Sequence, residues 1–517
     1  MMRLIALLTR PFPAYSIAVL LPLLGAGLYM AVYERPLPES ADEYGYLLAA
    51  DTFASGRLTN PQHPHWWHFE SYHVFHEPTY MTKYPPGQGA FLALGQLAGD
   101  PLYGVWLGIA LMTASLHWML SGFLPRRWAL LGTILAGLNL GFYHYWSQSF
   151  WGGALAAAGG ALVLGGVRRL WDRTRVRDAL ICGTGILLLF FTRPFEGAIF
   201  CLVPATLFLI RWHRQAWTNP NFLRRAVLPI VVLLFAGTLF TLYYNYRLTG
   251  SPLQLYYTHY EQLYPGFNPL RTTDTDEVEF RHPRMQRFLE EHILPRREMR
   301  DRWWRYYLMR STETLTGMLG PILPFLLLLG VVSRLKSWAS LSTAAILAVS
   351  LVFLVSPLMY NLHYMAPITS CLYLLSVRGI RRIWLADGAR AAWGRPTTYL
   401  IMAVFLIFWV EQSSAPRSPL GKSRQNIEQR LSKESGNHLV IVHYRPDFRI
   451  NVEYVYNLAD IDAQPVVWAQ DMGDEQNQAL LTYYDDRTIW LLTVGAAVHR
   501  LERYADARPP SAAPENP

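Results

Sequence analysis

"ERPLPESADEYGYLLAADTF" occupies residues 34–53, directly after a hydrophobic run at 14–33. Two adjacent acids, Asp42 and Glu43, therefore stand within a few residues of a membrane exit. Ser40-Ala41-Asp42-Glu43 has the S-x-x-E form of a capping box, in which the serine caps the first amides and the glutamate reaches back to the serine amide. Asp42 also suits the positive end of a helix. Adjacent helical positions diverge by about 100°. Asp42 then shares a face with Tyr46, and Glu43 shares one with Leu47 and Ala50. The second face reads as packing. Asp42 is the better candidate to look into a cavity, while Glu43 is a candidate for either a structural or a catalytic role.

The surrounding chain sets the context. Of its 517 residues 52% are hydrophobic and 16% charged, yet mean hydropathy is only +0.12. The low average conceals a split: apolar runs fill most of 14–411, whereas 34–85, 248–313 and 412–517 are polar. Apolar segments stand near 14–33, 86–99, 102–123, 127–146, 152–167, 179–192, 195–211, 226–247, 314–333, 339–356, 361–379 and 397–411. Runs of about 20 apolar residues read as bilayer spans. The first, with Arg3 and Arg10 before it, is too long for a secretory signal and is expected to remain as a span.

Charge orients the spans. The net charge is +9, and basic residues gather in "RRLWDRTRVRD" (168–178), "RWHRQAW" (211–217), "RLKSW" (334–338) and "RGIRRIW" (378–384). Such clusters mark cytoplasmic loops rather than nucleic-acid binding. Segment 86–99 covers only about 21 Å, short of a bilayer core of about 30 Å. If it does not cross, every basic loop falls inside and all three polar regions fall outside, giving about 11 crossings. The expected fold is a polytopic α-helical membrane protein of 11–12 hydrophobic segments. Its membrane module spans 1–411, with outer loops 34–85 and 248–313.

Residues 412–517 are expected to form a separate soluble α/β domain. "HLVIVHY" (438–444), "PVVWAQD" (465–471) and "TIWLLTV" (488–494) read as buried strands, and "DEQNQALLTYYDD" (474–486) as a helix between the last two. Strand-helix-strand order points to parallel pairing. The tail "ARPPSAAPENP" has a disordered composition. The domain has no Gly-rich phosphate loop. Cys182, Cys201 and Cys371 all lie in apolar runs, with no CxxC, so neither a disulfide framework nor a zinc site is indicated.

Polar groups collect at the segment ends assigned to the outer face. "NPQHPHWWHFESYHVFHEPTYMTKYPPGQG" (60–89) holds His63, His65, His68, His73 and His76 beside Trp66 and Trp67. The histidine spacings are irregular and give no metal-ligand pattern. Lys83, followed by Tyr84, lies where the chain re-enters the membrane, placed to snorkel or to meet a lipid phosphate. In "FFTRPFEGA" (190–198), Pro194 breaks the helix and leaves Arg193 and Glu196 near the end of a helical hairpin. They are placed to pair with each other, or Arg193 to grip a phosphate. "YNYRLTGSPLQLYYTHYEQLY" (244–264) adds Asn245, Arg247, Tyr256, Tyr257 and His259. "SPLMYNLHYMAPI" (356–368) adds Asn361, His363 and Tyr364.

Four features together resemble the GT-C superfamily of polytopic glycosyltransferases, in particular its protein O-mannosyltransferase and aminoarabinose-transferase-like branch. They are the Asp42-Glu43 pair opening a juxtamembrane helix, "KYPPGQG" (83–89), "HYMAP" (363–367), and a soluble domain after the last span. The resemblance implies a polyprenyl-phosphate-linked sugar as donor and a glycan, lipid or protein acceptor. It maps the catalytic base onto Asp42. Arg193 and Lys83 are the candidates for the donor phosphate. Tyr46, Tyr84, Glu196, Asn245, Arg247, Tyr256, His259, Asn361, His363 and Tyr364 are candidates to line the substrate site. No metal or other cofactor is expected; the only second acidic element, "DTDE" (274–277), reads as an ordinary loop. The expected location is the cell membrane, a bacterial inner membrane by architecture, with the site facing the periplasm or extracellular side. A surface-polysaccharide polymerase or ligase would use similar lipid substrates without needing Asp42. A transporter would place its polar groups near the midplane, where the long apolar runs here lack acids.

Overall fold

A computed structural model describes residues 7–215, 220–265, 280–295, 303–332, 337–350, 361–388, 391–414, 420–450, 452–496 and 498–507. The acidic 274–277 stretch, residues 351–360 and 508–517 of the tail lie outside the described residues. The chain forms two compact units. One comprises Met1–Pro36, Pro85–Thr241 and Arg296–Arg417; the other comprises Leu37–Tyr84, Leu242–Pro295 and Ser418–Pro517.

The first unit is helical. Among the described residues, five helices are long and apolar enough to cross a membrane: Pro11–Tyr33, Pro101–Leu120, Pro194–Arg214, Leu223–Thr249 and Ala391–Ser413. Other expected segments form shorter helices, among them Arg126–Gly141, Val176–Thr192 and Thr369–Trp384. They pack around a core that runs from Ile109 to Phe405 and is rich in alanine. Small residues let the backbones close up, as membrane bundles require. A Cβ on Gly160 would lie 2.1 Å from the Pro367 carbonyl oxygen, and one on Gly379 would lie 2.0 Å from that of Leu326.

Three expected segments are shaped differently from a plain span. Segment 86–99 is a helix of 12 residues, Pro86–Leu97, and is too short to cross at 1.5 Å per residue. It doubles back on Pro101–Leu120, where Gly95 and Gly104 bring the two backbones together. Segment 314–333 is broken. Helix Trp303–Leu319 ends at Gly320 (φ 71°), Pro321 follows, and Leu323–Val332 restarts in a new direction, the two halves being bent by 102°. The carbonyls freed at the break are satisfied from within the bundle. Asn139 Nδ2 donates to Met318 O (2.8 Å), and so does the Tyr373 hydroxyl (2.8 Å). Segment 361–379 begins as a 3-10 turn, Leu362–Ile368, before the helix Thr369–Trp384.

Among its described residues the second unit holds two sheets. A small antiparallel one places Thr79–Thr82 between Asn60–Pro61 and Val74–Phe75. The C-terminal sheet has His438–Tyr444 at its centre, parallel to Val466–Gln470 on one side and to Thr488–Val494 on the other. The parallel pairing matches the sequence expectation. A fourth strand, His499–Arg503, pairs antiparallel with Thr488–Val494. The expected helix at 474–486 is Asp474–Tyr483. The sheet packs within the same unit as the two polar loops. Tyr44 stacks on Tyr456 with ring centroids 4.4 Å apart, and Ala459 N donates to Asp51 Oδ2 at 2.9 Å.

Candidate active site

Helix Ala41–Ala54 begins with the capping box read from the sequence. Glu43 is buried, and its Oε2 accepts from the amides of Glu39 (2.9 Å) and Ser40 (3.3 Å). Glu43 N donates in turn to Ser40 Oγ at 3.4 Å. The Glu43 carboxylate is thus engaged in holding the helix start. Asp42, turned away from it, is half-exposed, its side chain 34% accessible.

Asp42 anchors a cluster inside the second unit. The Tyr84 hydroxyl donates to Asp42 Oδ1 in a short hydrogen bond, and His73 Nε2 lies 3.8 Å from the same oxygen. Among the described residues, Asp42 Oδ2 has no hydrogen-bond partner. Tyr46, one turn on from Asp42, stacks on the Tyr84 ring at 4.6 Å. Backbone contacts fix these parts. His73 has φ 68°; its carbonyl accepts from Lys83 N (2.9 Å) and from Thr82 Oγ1 (3.2 Å), and its amide donates to the Tyr260 hydroxyl (3.0 Å).

Lys83 is buried. Its ammonium lies 4.5 Å from the Tyr260 ring centroid and 5.7 Å from that of Tyr84, a cation–π setting. Burial lowers its pKa to about 8, against the opposing charges of Asp42 and Glu261. Tyr256 is buried one helical turn before Tyr260 on Tyr256–Leu263. A phenol, a carboxylate with a free oxygen, an imidazole and a low-pKa amine therefore converge in one place. Such a set can hold an oxyanion and take up a proton.

Other candidates lie apart from this cluster. Asn245 Nδ2 donates to the Pro252 carbonyl (3.1 Å) and closes a turn. Arg247 reaches the Tyr243 hydroxyl (3.3 Å) on its own helix. His259 Nε2 lies 2.5 Å from the Glu77 carbonyl oxygen, pinning Tyr256–Leu263 to the loop before Thr79–Thr82. The remaining loop histidines are dispersed rather than gathered. His63 meets Asp462 (3.1 Å), His68 the Gln470 carbonyl (3.2 Å) and His76 the Phe69 carbonyl (3.0 Å).

A second cluster forms inside the first unit. Arg193 follows Val176–Thr192, and Pro194 starts the next helix. Arg193 and Glu196 are both buried. The Arg193 guanidinium lies 4.9 Å from the Tyr364 ring centroid. His363 Nδ1 is 3.3 Å from the Tyr145 hydroxyl, and its ring meets Trp151 edge-on at 5.3 Å. Asn361 precedes the 3-10 turn that carries both residues, and makes no side-chain cap. A buried guanidinium over an aromatic ring suits an anion with an apolar body.

Sequence reasoning missed Tyr260 and Glu261 and treated His73 only as one of five histidines. The signal for Tyr260 was present: Tyr256 and Tyr260 lie four residues apart, on one face of a helix.

No family model and no curated relative matches the sequence. Solved structures do match. ArnT from Cupriavidus metallidurans, in the apo state and bound to undecaprenyl phosphate, matches with a TM-score of 0.51 at 12% identity, over 92% of this chain and 92% of that one. The Archaeoglobus fulgidus oligosaccharyltransferase, tethered with an acceptor peptide, matches at a TM-score of 0.48 and 11% identity, over 82% of this chain. The present chain spans 62% of that protein's length. By fold, the chain is similar to ArnT, a polytopic arrangement of apolar helices, with an α/β layer in its C-terminal region.

Proposed function

We propose that the protein is a membrane glycosyltransferase that moves a sugar from a polyprenyl-phosphate donor to an acceptor hydroxyl. One observation carries the reading: of two adjacent acids, Glu43 is engaged in capping, while Asp42 keeps an open oxygen beside Tyr84, His73 and Lys83. The solved ArnT structure with undecaprenyl phosphate supports the donor class. Asp42 Oδ2 accepts the proton of the acceptor hydroxyl as its oxygen bonds to the anomeric carbon. The bond from that carbon to the phosphate oxygen breaks, and polyprenyl phosphate leaves. A single displacement inverts the anomeric configuration. Lys83, charged below about pH 8, stabilises the leaving phosphate. Tyr84 and His73 hold the Asp42 carboxylate in position. The membrane is a bacterial inner membrane in this reading, and the cluster faces the periplasm.

Removal of a general base costs about 100- to 10,000-fold in rate. Asp42→Asn, reconstituted with a polyprenyl-phosphate sugar, is therefore expected to lose transfer by that factor at an unchanged melting temperature. Full activity in Asp42→Asn would sink the proposal.

A further inference from the structure

We propose that the second unit carries a saccharide-binding subsite, formed by Trp67 and the first turns of Asp474–Tyr483. An open cavity of about 370 Å³ lies there, lined by Trp67, Arg281, Met472, Glu475, Gln476 and Ala479. Its volume falls in the range of small-ligand sites, about 300–1,000 Å³. The lining combines an indole with a carboxylate, an amide and a guanidinium. An indole face packs against the C–H face of a pyranose, and the polar groups pair with its hydroxyls.

The walls are built rather than incidental. Glu70, buried beneath them, accepts from the Tyr264 hydroxyl (2.7 Å) and from Arg281 (3.1 Å), and His282 Nε2 lies 3.1 Å from its Oε2. His282 also lies 2.8 Å from the Trp67 carbonyl oxygen, which ties the 3-10 turn Trp66–Phe69 to the same anchor. Across the cavity, Asn477 Nδ2 donates to Asp471 Oδ1 (2.8 Å), and Met472 N donates to Asn477 Oδ1 (3.1 Å), fixing the start of the helix. Trp67 is half-exposed and Glu475 and Gln476 are exposed, so the faces that would meet a ligand are open to solvent.

Charge selects a neutral occupant. Burial opposes ionisation of Glu70, but His282, Tyr264 and Arg281 outweigh it and hold its pKa below the ordinary value. The Arg281 charge is thereby already matched, and Glu475 adds a further negative charge to the rim. Among the lining residues no unmatched cation is then left to hold a phosphate or sulfate, whereas a polyol needs none. The subsite takes the acceptor glycan, an assignment that rests on the transferase reading above.

The test uses the full chain in lipid nanodiscs free of glycoside detergent. Saturation-transfer NMR is recorded with methyl α-mannoside, methyl β-glucoside, N-acetylglucosamine and β-1,4-linked tetrasaccharides of glucose and of N-acetylglucosamine. Ring protons of at least one sugar are expected to receive saturation. Trp67→Ala should weaken that sugar about tenfold, the scale of one good aromatic contact. Gln476→Ala, on an exposed helix face, should weaken it severalfold without a folding risk, and Trp67→Phe should restore most binding. No transfer to any of these sugars, unchanged transfer in both alanine variants, or displacement of the sugar by inorganic phosphate would each overturn the subsite. Asp42→Asn separates the two proposals. Lost turnover without sugar binding leaves the transferase reading standing and removes the subsite; retained turnover with sugar binding does the reverse.

Discussion

At the scale of single residues, the acids at 42 and 43 divide the labour of one helix start. Glu43 accepts two backbone amides from a buried position. Its neutral amide replacement keeps the shape but weakens charge-assisted bonds. Glu43→Gln is expected to lower stability by about 1 kcal/mol and to leave transfer within about tenfold of the parent, read by thermal melts and initial rates. Lys83 makes a sharper prediction. Burial lowers its pKa to about 8, so the ammonium is present below that pH and lost above it. Because kcat/KM reports the ionisation of the free enzyme, its value for the lipid donor should fall as pH rises through about 8. Lys83→Arg should abolish that alkaline limb, since a guanidinium stays charged. The stability sign runs the other way. A buried ammonium with a depressed pKa costs the folded state stability as pH falls from the ordinary lysine range toward 8. Lys83→Met should therefore raise the melting temperature at neutral pH while impairing donor binding.

At the scale of elements, Gly45 sets how closely helix Ala41–Ala54 approaches strand Thr79–Thr82. A Cβ there would stand 2.8 Å from Thr82 Oγ1 and 3.3 Å from the Tyr84 ring. That Thr82 oxygen bonds the His73 carbonyl and accepts from Tyr84 N at 3.3 Å. Gly45→Ala should thus displace two partners of Asp42 together. It is expected to cost about 1–3 kcal/mol as overpacking, and to lower transfer more than Glu43→Gln does, when melts and rates are compared. The capping box was legible because it is local, spanning four residues. The central strands were legible because buried parallel strands read as continuous apolar runs. Strand His499–Arg503 was not, since an edge strand that is mostly exposed carries no such run. The bend at Gly320 was written as "GPILP" inside an apolar stretch, where hydropathy outvotes backbone chemistry. The contact from Tyr84 to Asp42 spans 42 positions, and that from Tyr364 to Arg193 spans far more. No periodicity encodes such pairs; they exist only once the chain has folded.

At the scale of the whole molecule, the second unit is assembled from three chain stretches separated by membrane helices. Bringing their ends together costs loop-closure entropy that packing must offset. Arg284, from the middle stretch, binds the other two. Its carbonyl accepts from the Tyr72 hydroxyl (2.5 Å), and its guanidinium donates to Glu453 Oε1 (2.6 Å) and to the Val452 carbonyl. The guanidinium also lies 4.2 Å from the Tyr444 ring centroid. Glu453 Oε1 in turn accepts from the Tyr444 hydroxyl (2.7 Å) and from Tyr454 N (3.0 Å). Both charged groups are buried, Arg284 at 8% exposure and Glu453 at 2%. Removing one partner strands the other charge out of water, at about 3–5 kcal/mol. Glu453→Ala should therefore loosen the joint between the stretches at 37–84, 242–295 and 418–517. Hydrogen exchange should rise in all three, and transfer should fall although Asp42 is intact. Arg284→Met combined with Glu453→Leu should recover much of the loss, because replacing both charges with apolar volume removes the desolvation penalty. A melting shift below about 2 °C in Glu453→Ala, with exchange unchanged outside the C-terminal stretch, would show that packing alone holds the three together.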